Sequence, residues 1–390
     1  MKKLSMKTKK EIITKHQIRY KKASKKEKTQ ILNEVSNTTG LSRNRTIRLL
    51  NGSANKKNAF HKKHKQGRKT VYNKDVATLL EKIWILMDFA CGKRLKAGIN
   101  PFLDALLRHG ELQFEDDIIN KLRIISASSI DRLLKSPKAK LNFKGKSTTK
   151  PGTLLKKDIP IRLGNEWDDA VPGFVEIDLV AHCGSTTAGD YVNTLCITDI
   201  CTGWTETYAI LNKAQKHVFN ALIDAEQNFP FDYKGIDSDN GSEFINNILY
   251  RYCKEHNICF TRSRPNKKND NAHVEQKNWA VVRKNIGYNR YEGNKAVNLL
   301  NRYYQCLSLY SNYFLPQTKL IKKYHNGVRV IKVYEDYLTP YQRVLNSNLI
   351  PLSKKEKLTK TFLSLNPVSL KKEMSDILNQ LKNIAIPWQR

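Results

Sequence analysis

Acidic residues are scarce in this chain: 36 Asp and Glu stand against 69 Lys and Arg, a formal net charge of +33 over 390 residues. That imbalance exceeds what solubility needs and points to a polyanionic partner, because Lys and Arg that neutralise phosphates release condensed counterions. Long apolar runs are also missing. No stretch of about 18 uncharged apolar residues occurs, so no bilayer-spanning helix is expected and a membrane is not the polyanion of choice. The basic opening MKKLSMKTKK is not followed by an apolar segment, which argues against a secretory signal. Cysteine is sparse: seven residues, an odd number, with no Cys-x-x-Cys pair. A disulfide framework is therefore not expected, and the thiols suit a reducing interior. His61 and His64 have no cysteine pair downstream, so an N-terminal zinc module of the His-His-Cys-Cys type is not supported. There are no internal repeats.

What is present is unevenly spread. Residues 1–70 hold 22 of the 69 Lys/Arg and only three of the 36 Asp/Glu. Within them, Lys25–Asn51 reads as two short helices around the turn Thr39-Gly40-Leu41. Ile31, Leu32 and Val35 have helical spacing, and Ser42 is placed to cap a second helix carrying Arg43, Arg45 and Arg48. This is the outline of a helix-turn-helix with arginines on its second helix; the plainer alternative is a basic helical hairpin. Residues 71–150 read as a second helical domain and linker. Val76, Leu79, Leu80, Ile83, Trp84 and Met87 form an apolar stripe. Ile118–Lys135 reads as a further hairpin, with Ser128 or Ser129 as the cap of its last helix, either a second helix-turn-helix or part of a structural bundle.

From residue 165 to 310 the texture changes to strands rich in Val, Ile, Thr and Tyr alternating with helical patterns. Phe174–Val180, Tyr191–Asp199, Trp204–Leu211, Tyr233–Asp237 and Ile258–Arg262 read as strands. Helices are expected over Ala214–Asn228, Ser242–His256 and Asn271–Ile286. The order β-β-β-α-β-α-β-α predicts an α/β domain with a mixed five-stranded sheet and flanking helices. Residues 320–390 read as a small β/α tail, with strand alternation at Gly327–Tyr334 and a helix at Leu370–Ile384.

Three carboxylates stand out in the mixed domain. Asp178 sits in the middle of an apolar strand, where a charge is costly unless paired or metal-bound. Asp239 follows the fourth strand and precedes Asn240-Gly241, a tight turn, with Ser242 placed to cap the next helix. Glu275 sits on the helix that starts near Asn271. A strand, a strand end and a helix can bring three distant acids together, as hard-cation binding requires. Phosphodiester chemistry benefits from two Mg²⁺ (or Mn²⁺) ions about 3.5–4 Å apart, with oxygen ligands and solvent completing each shell. In that arrangement Asp178 bridges both ions, and Asp239 and Glu275 each serve one. Asp237, Asp270, Glu176 and Glu243 are the rival acids, and His182 stands four residues past Asp178, toward the substrate or in the core. Lys267, Lys268, Arg283 and Lys284 flank the acids as candidate phosphate contacts, or as solvated surface charges.

These residues resemble the integrase-core branch of the transposases and retroviral integrases. Asp178 lies in the first strand. Ser238-Asp239-Asn240-Gly241-Ser242-Glu243-Phe244 matches the family's second-aspartate motif, and 35 residues separate Asp239 from Glu275, the D-D-35-E spacing. Arg264-Pro265 and Asn271-Ala272-His273-Val274-Glu275 fit the approach to the glutamate. The resemblance implies a ribonuclease-H-like fold and the activity of a bacterial insertion-sequence transposase. Such a protein binds double-stranded DNA, both transposon terminal inverted repeats and target, frees a 3′-hydroxyl and transfers it into target DNA. It further implies a homo-oligomer in the synaptic complex and a cytoplasmic, nucleoid-associated location. The competing readings are a DNA-binding regulator with an inactive core and a nuclease acting on RNA–DNA hybrids.

Overall fold

A computed structural model describes residues 4–52, 71–140, 171–238, 243–244, 246–262, 272–326 and 329–389. The chain divides into two compact units, Met1–Val71 and Tyr72–Arg390. The first is built on three helices: α1 (Met6–Lys22), α2 (Lys25–Thr39) and α3 (Arg43–Leu50). Helix α1, absent from the sequence expectation, starts at Ser5, whose hydroxyl accepts from the Thr8 N–H. Helix α2 opens with a capping box in which Ser24 and Glu27 satisfy each other's backbone N–H. It ends at Gly40, which takes φ +65°, a conformation glycine adopts without steric cost. Ile13, Tyr20, Ile31, Leu32, Val35 and Leu50 form the core of this unit.

In the second unit, helices α4 (Lys74–Leu86), α5 (Gly92–Arg108), α6 (Asp116–Ile124), α7 (Ala127–Leu133) and α8 (Lys135–Lys140) precede the sheet. The stripe from Val76 to Met87 is fully buried. Gly92 lets α5 approach α7, since a Cβ there would lie 2.6 Å from the Ala127 carbonyl oxygen. The cap of α7 is Ser126, not Ser128 or Ser129: its hydroxyl accepts from the Ser129 N–H. The helices and the tail are not separate from the sheet domain. Their apolar side chains run without a break from Val76 through Val175 and Leu300 to Leu381, and Tyr310 donates to the Leu86 carbonyl.

Five strands, β1 (Phe174–Ala181), β2 (Asn193–Asp199), β3 (Thr205–Ile210), β4 (Gly235–Ser238) and β5 (Cys259–Arg262), form one sheet in the order β3-β2-β1-β4-β5. β1, β2 and β3 are antiparallel, and β4 and β5 run parallel to β1. This is the mixed, ribonuclease-H-like arrangement expected. Helix α9 (Gln215–Glu226) links β3 to β4 and α10 (Asn247–Glu255) links β4 to β5. The cap of α10 is Asn246 rather than Ser242, with Oδ1 accepting from Ile248 and Leu249 at 3.0 Å. After α11 (Ala272–Lys277), a π-helical stretch (Asn278–Arg283) and α12 (Lys284–Ile286) comes the 22-residue α13 (Gly293–Phe314). It closes the open edge of β3. Asn301 brackets Ala209 at 2.7 and 3.0 Å, and Asn312 brackets Thr205 at 3.1 and 3.0 Å. An edge bracketed at Thr205 and Ala209 in this way is poorly placed to recruit another strand. The tail comprises the ribbon β6 (Leu320–Asn326) and β7 (Arg329–Tyr334), then α14 (Pro340–Asn346), α15 (Leu352–Ser364) and α16 (Pro367–Ile384), the last packed on α13. Among the described residues no helix is long and apolar enough to cross a membrane.

Glu206 on β3 gives this core a pH signature. Its Oε1 accepts from the Trp204 indole at 2.8 Å and the Ser308 hydroxyl at 2.7 Å. Burial outweighs both bonds and pushes the carboxyl from 4.5 up to about 7. The folded state therefore holds a proton that the unfolded chain releases, and the stability this contributes is lost as pH rises from about 4.5 through 7. Glu206→Gln keeps the acceptor and removes the charge. It is expected to stabilise the Tyr72–Arg390 unit at pH 8 by a few kcal/mol, about 1.4 per pKa unit, and to change little at pH 4.5. Asp199, which burial pushes to about 6, leaves a residual slope of the same sign. Thermal melts across pH check this; identical curves for both proteins would remove Glu206 as the cause.

Candidate active site

The site is built on the centre of the sheet. Asp178 pairs across the β1–β2 ladder with Cys196. Along the β1–β4 ladder the last described pair is Ile177 with Ser238, each followed in sequence by one of the expected acids. Asp239 itself lies outside the described residues. Glu176 and Asp178 are two apart on β1 and so share a face of the sheet. Helix α11 and the π-helical stretch cross that face. The Val274 N–H donates to Glu176 Oε2 at 2.9 Å, and Asn278 Nδ2 donates to Asp178 Oδ2 at 2.6 Å. The match is metric: four helical residues rise about 6 Å and two strand residues about 6.6 Å. Glu275 therefore belongs to the helical turn bounded by the two anchors, although its side chain is outside the described ones.

Asp178 is further held by its neighbour, because the Leu179 N–H donates to Oδ1 at 2.8 Å. The residue that the sequence reading missed is Asn278. Its signal is there, since a position three past Glu275 lies on the same helical face. Its Oδ1 is buried and has no hydrogen-bond partner among the described residues. A carboxylate beside an orphaned, buried amide oxygen is a donor set of the kind a hard cation takes. Among the described residues no group of three His, Cys, Asp or Glu side chains is arranged to hold a metal. Lys277, one residue earlier, turns the other way. It is half-buried and donates to the Gly203 carbonyl at 3.1 Å and to Gln317 Oε1 at 2.6 Å. Burial pushes its ammonium down to about 7. The π-helical turn begins directly after it, a distortion frequent at functional sites, and leaves Trp279 exposed.

The remaining candidates separate clearly. Glu176 and Asp237 are buried, the first bonded to Val274 and the second accepting from Thr261 at 2.5 Å. His182 is in the core: Nε2 meets Thr194 Oγ1 at 2.8 Å, and burial, with Arg283 nearby, pushes its imidazole down to about 3. It is therefore a neutral core histidine rather than a substrate contact. Arg283 spends its donors on the Ala181 and Gly287 carbonyls and lies against the Tyr288 ring. Lys284 is exposed. Lys267, Lys268 and Asp270 lie outside the described residues.

A model of the integrase core domain matches residues 168–268, a stretch that holds Asp178 and Asp239 and stops short of Glu275. The "Uncharacterized protein y4rM" of Sinorhizobium fredii is 36% identical over 340 residues, covering 87% of this chain and 96% of that protein. The chain belongs to the superfamily of the DDE transposases and retroviral-integrase catalytic cores. Two solved structures of the HTLV-2 integrase catalytic core domain in complex with magnesium are similar to part of this chain. The trimeric form is 16% identical with a TM-score of 0.24, covering 30% of this chain and 70% of that one. The dimeric form is 14% identical with a TM-score of 0.27, covering 38% and 93%. Membership in an integrase-core superfamily makes a polynucleotidyl-transferase type of activity the frame for the site. The N-terminal unit carries a basic surface of its own: Arg43, Arg45 and Arg48 are all exposed on α3, while Thr46 and Leu50 face inward.

Proposed function

We propose that the chain is a transposase that binds transposon-end DNA and carries out metal-dependent 3′-end cleavage and strand transfer through Asp178, Asp239 and Glu275. The observation that carries this reading is the clamp of Asp178, in an integrase-core strand, by Asn278 from the helix to which Glu275 belongs. The three acids would hold two Mg²⁺ or Mn²⁺ ions, whose charge offsets that developing on the attacked phosphate. The chain's own part is positional. Asn278 and the Leu179 N–H fix both oxygens of Asp178, and the Val274–Glu176 bond fixes the helix on the strand. In the first step water attacks the phosphorus at the element's end, the bond to the 3′ oxygen breaks, and a 3′-hydroxyl and a 5′-phosphate result. In the second, that hydroxyl attacks a target phosphorus in line and displaces the target's 3′ oxygen. Bonds broken and formed balance, so no ATP is needed.

Arg43, Arg45, Arg48, Lys267, Lys268 and Lys284 would hold the duplexes at phosphates, with Arg283 shaping the wall behind them. Joining two ends to one target calls for a homo-oligomer, at work on the nucleoid in the cytoplasm. The test uses full-length protein and duplexes ending in the DNA that flanks its gene. Wild type is expected to cut and join these ends with Mg²⁺ or Mn²⁺ and to stop on chelation; Asp239→Asn should bind them and do neither. Wild type that binds ends without ever cutting would instead mark a regulator, and cutting confined to RNA–DNA hybrids a ribonuclease.

A further inference from the structure

The ribbon β6–β7 is uncovered. Leu320, Ile321, Tyr324, Val330, Val333 and Tyr334 each keep between 39% and 66% of their surface exposed. An isolated two-stranded ribbon is marginal in water, and so much apolar surface on it calls for a partner. The register shows why it does not fold back on the body. Paired residues share a face, so one face carries Lys322, Tyr324, Arg329, Ile331 and Val333 and the other Leu320, Val330, Lys332 and Tyr334. Both faces mix cations with apolar groups, and a protein core takes neither. The charge is of one sign: residues 319–334 contain five Lys or Arg and no Asp or Glu.

The root, in contrast, is fixed. Gln317 and Leu338 exchange backbone bonds at 2.8 and 3.0 Å, and Arg343 ties Glu335 to the Gln317 carbonyl. Lys319 Nζ reaches the Cys201 carbonyl at 2.8 Å. Lys277, at the end of the helix to which Glu275 belongs, donates to Gln317 Oε1 at 2.6 Å. The ribbon is therefore braced against the candidate active-site helix and bare along its length.

We infer that the ribbon is a duplex-DNA contact, entering a groove with its apolar side chains against base and sugar edges and Lys322, Arg329 and Lys332 on phosphates. The inference rests on the DNA-processing reading above and assigns it a second binding surface. The major groove admits a two-stranded ribbon, and a one-signed, apolar-studded surface complements DNA better than it complements another copy of so basic a chain, which would repel it.

Full-length protein with Lys322→Gln, Arg329→Gln and Lys332→Gln together is compared with wild type and with a variant of equal charge loss on α15, Lys354→Gln, Lys357→Gln and Lys360→Gln. Binding to a labelled duplex is measured against salt. The ribbon variant should flatten the slope of log affinity on log salt by about 2.7, roughly 0.9 for each phosphate that is no longer neutralised, and the α15 variant should leave it unchanged. A ribbon variant with the wild-type slope overturns the inference. So does sedimentation without DNA that finds only the ribbon variant dissociated, since the ribbon would then join copies of the chain. Cleavage assays on the same proteins separate the two readings. Wild type that cuts ends while the slope ignores the ribbon sinks this inference alone. Wild type that never cuts but loses slope with the ribbon sinks the catalytic reading and upholds this one.

Discussion

Asp178→Asn is expected to lower end cleavage and strand transfer by roughly three orders of magnitude or more while leaving DNA binding within a few fold. The substitution removes one charge from the acid that would bridge two hard cations, and an amide oxygen is a much poorer ligand than a carboxylate for such ions. The fold should tolerate it. Among the described residues Asp178 accepts from the Leu179 N–H and from Asn278 Nδ2, and an asparagine there has one oxygen for the first. Its amide NH₂ then faces Asn278, which needs only to flip its own amide to present Oδ1, an atom now buried without a partner among the described residues. The new pair keeps one bond between the two side chains, so the substitution avoids adding the roughly 1–3 kcal/mol cost of a newly unmade buried bond. Asn278→Ala should behave differently. The carboxylate keeps its charge but loses a positioning bond, a change that typically costs 10- to 100-fold in metal affinity or activity. Its signature is a raised metal concentration for half-maximal rate, with much of the rate recovered at saturating metal; a purely structural defect would not be rescued that way. Full activity in Asp178→Asn would remove this aspartate from the site.

The parts of this architecture that are legible in the sequence are those that local chemistry dictates. The runs around Val175, Leu195 and Ile236 are apolar and β-branched because those strands are buried on both faces, and all five strands lie within a few residues of where the pattern puts them. Gly40 marks its turn because few other residues take φ +65° at no cost. Two caps, Ser126 and Asn246, differ from the expected ones, because Ser-Ala-Ser-Ser and Asn246-Asn247 set short polar side chains side by side and backbone geometry decides which one accepts. What is not legible depends on distant partners. Asn301 and Asn312 read as ordinary polar positions on a long helix until the edge of β3 lies beside them. Asn278 has meaning only against Asp178, 100 residues away in the chain. The helices of residues 72–140 and the tail read as domains of their own because an amphipathic stripe does not state what it packs on; here both share the sheet's core.

Arg43→Gln, Arg45→Gln and Arg48→Gln together should weaken binding of end DNA steeply and flatten its salt dependence by about 2.7, again near 0.9 per phosphate. Helix α3 is suited to this role by what it lacks as much as by what it shows. Its eight residues include no acid, its inward face is Thr46 and Leu50, and its three arginines project to solvent. Arg43 donates to Asn33 on α2, which presets its direction, whereas Arg45 and Arg48 have no hydrogen bond from their side chains among the described residues. Since all three are exposed, the triple variant should melt within about 0.5 kcal/mol of wild type, so weaker binding would not reflect a failure to fold. The form of the loss tells what α3 reads. If the arginines only touch phosphates, affinity for element ends and for unrelated duplexes falls in parallel. If they also reach base edges, as the second helix of a helix-turn-helix does, the preference for ends shrinks as well, by about 1–3 kcal/mol per bidentate guanine contact. Combined with the ribbon substitutions, the effects on slope should add, because six separate phosphates are then released. An unchanged slope in the α3 variant would refute its role, and a combined slope no flatter than either alone would show that the two surfaces are not engaged on DNA at the same time.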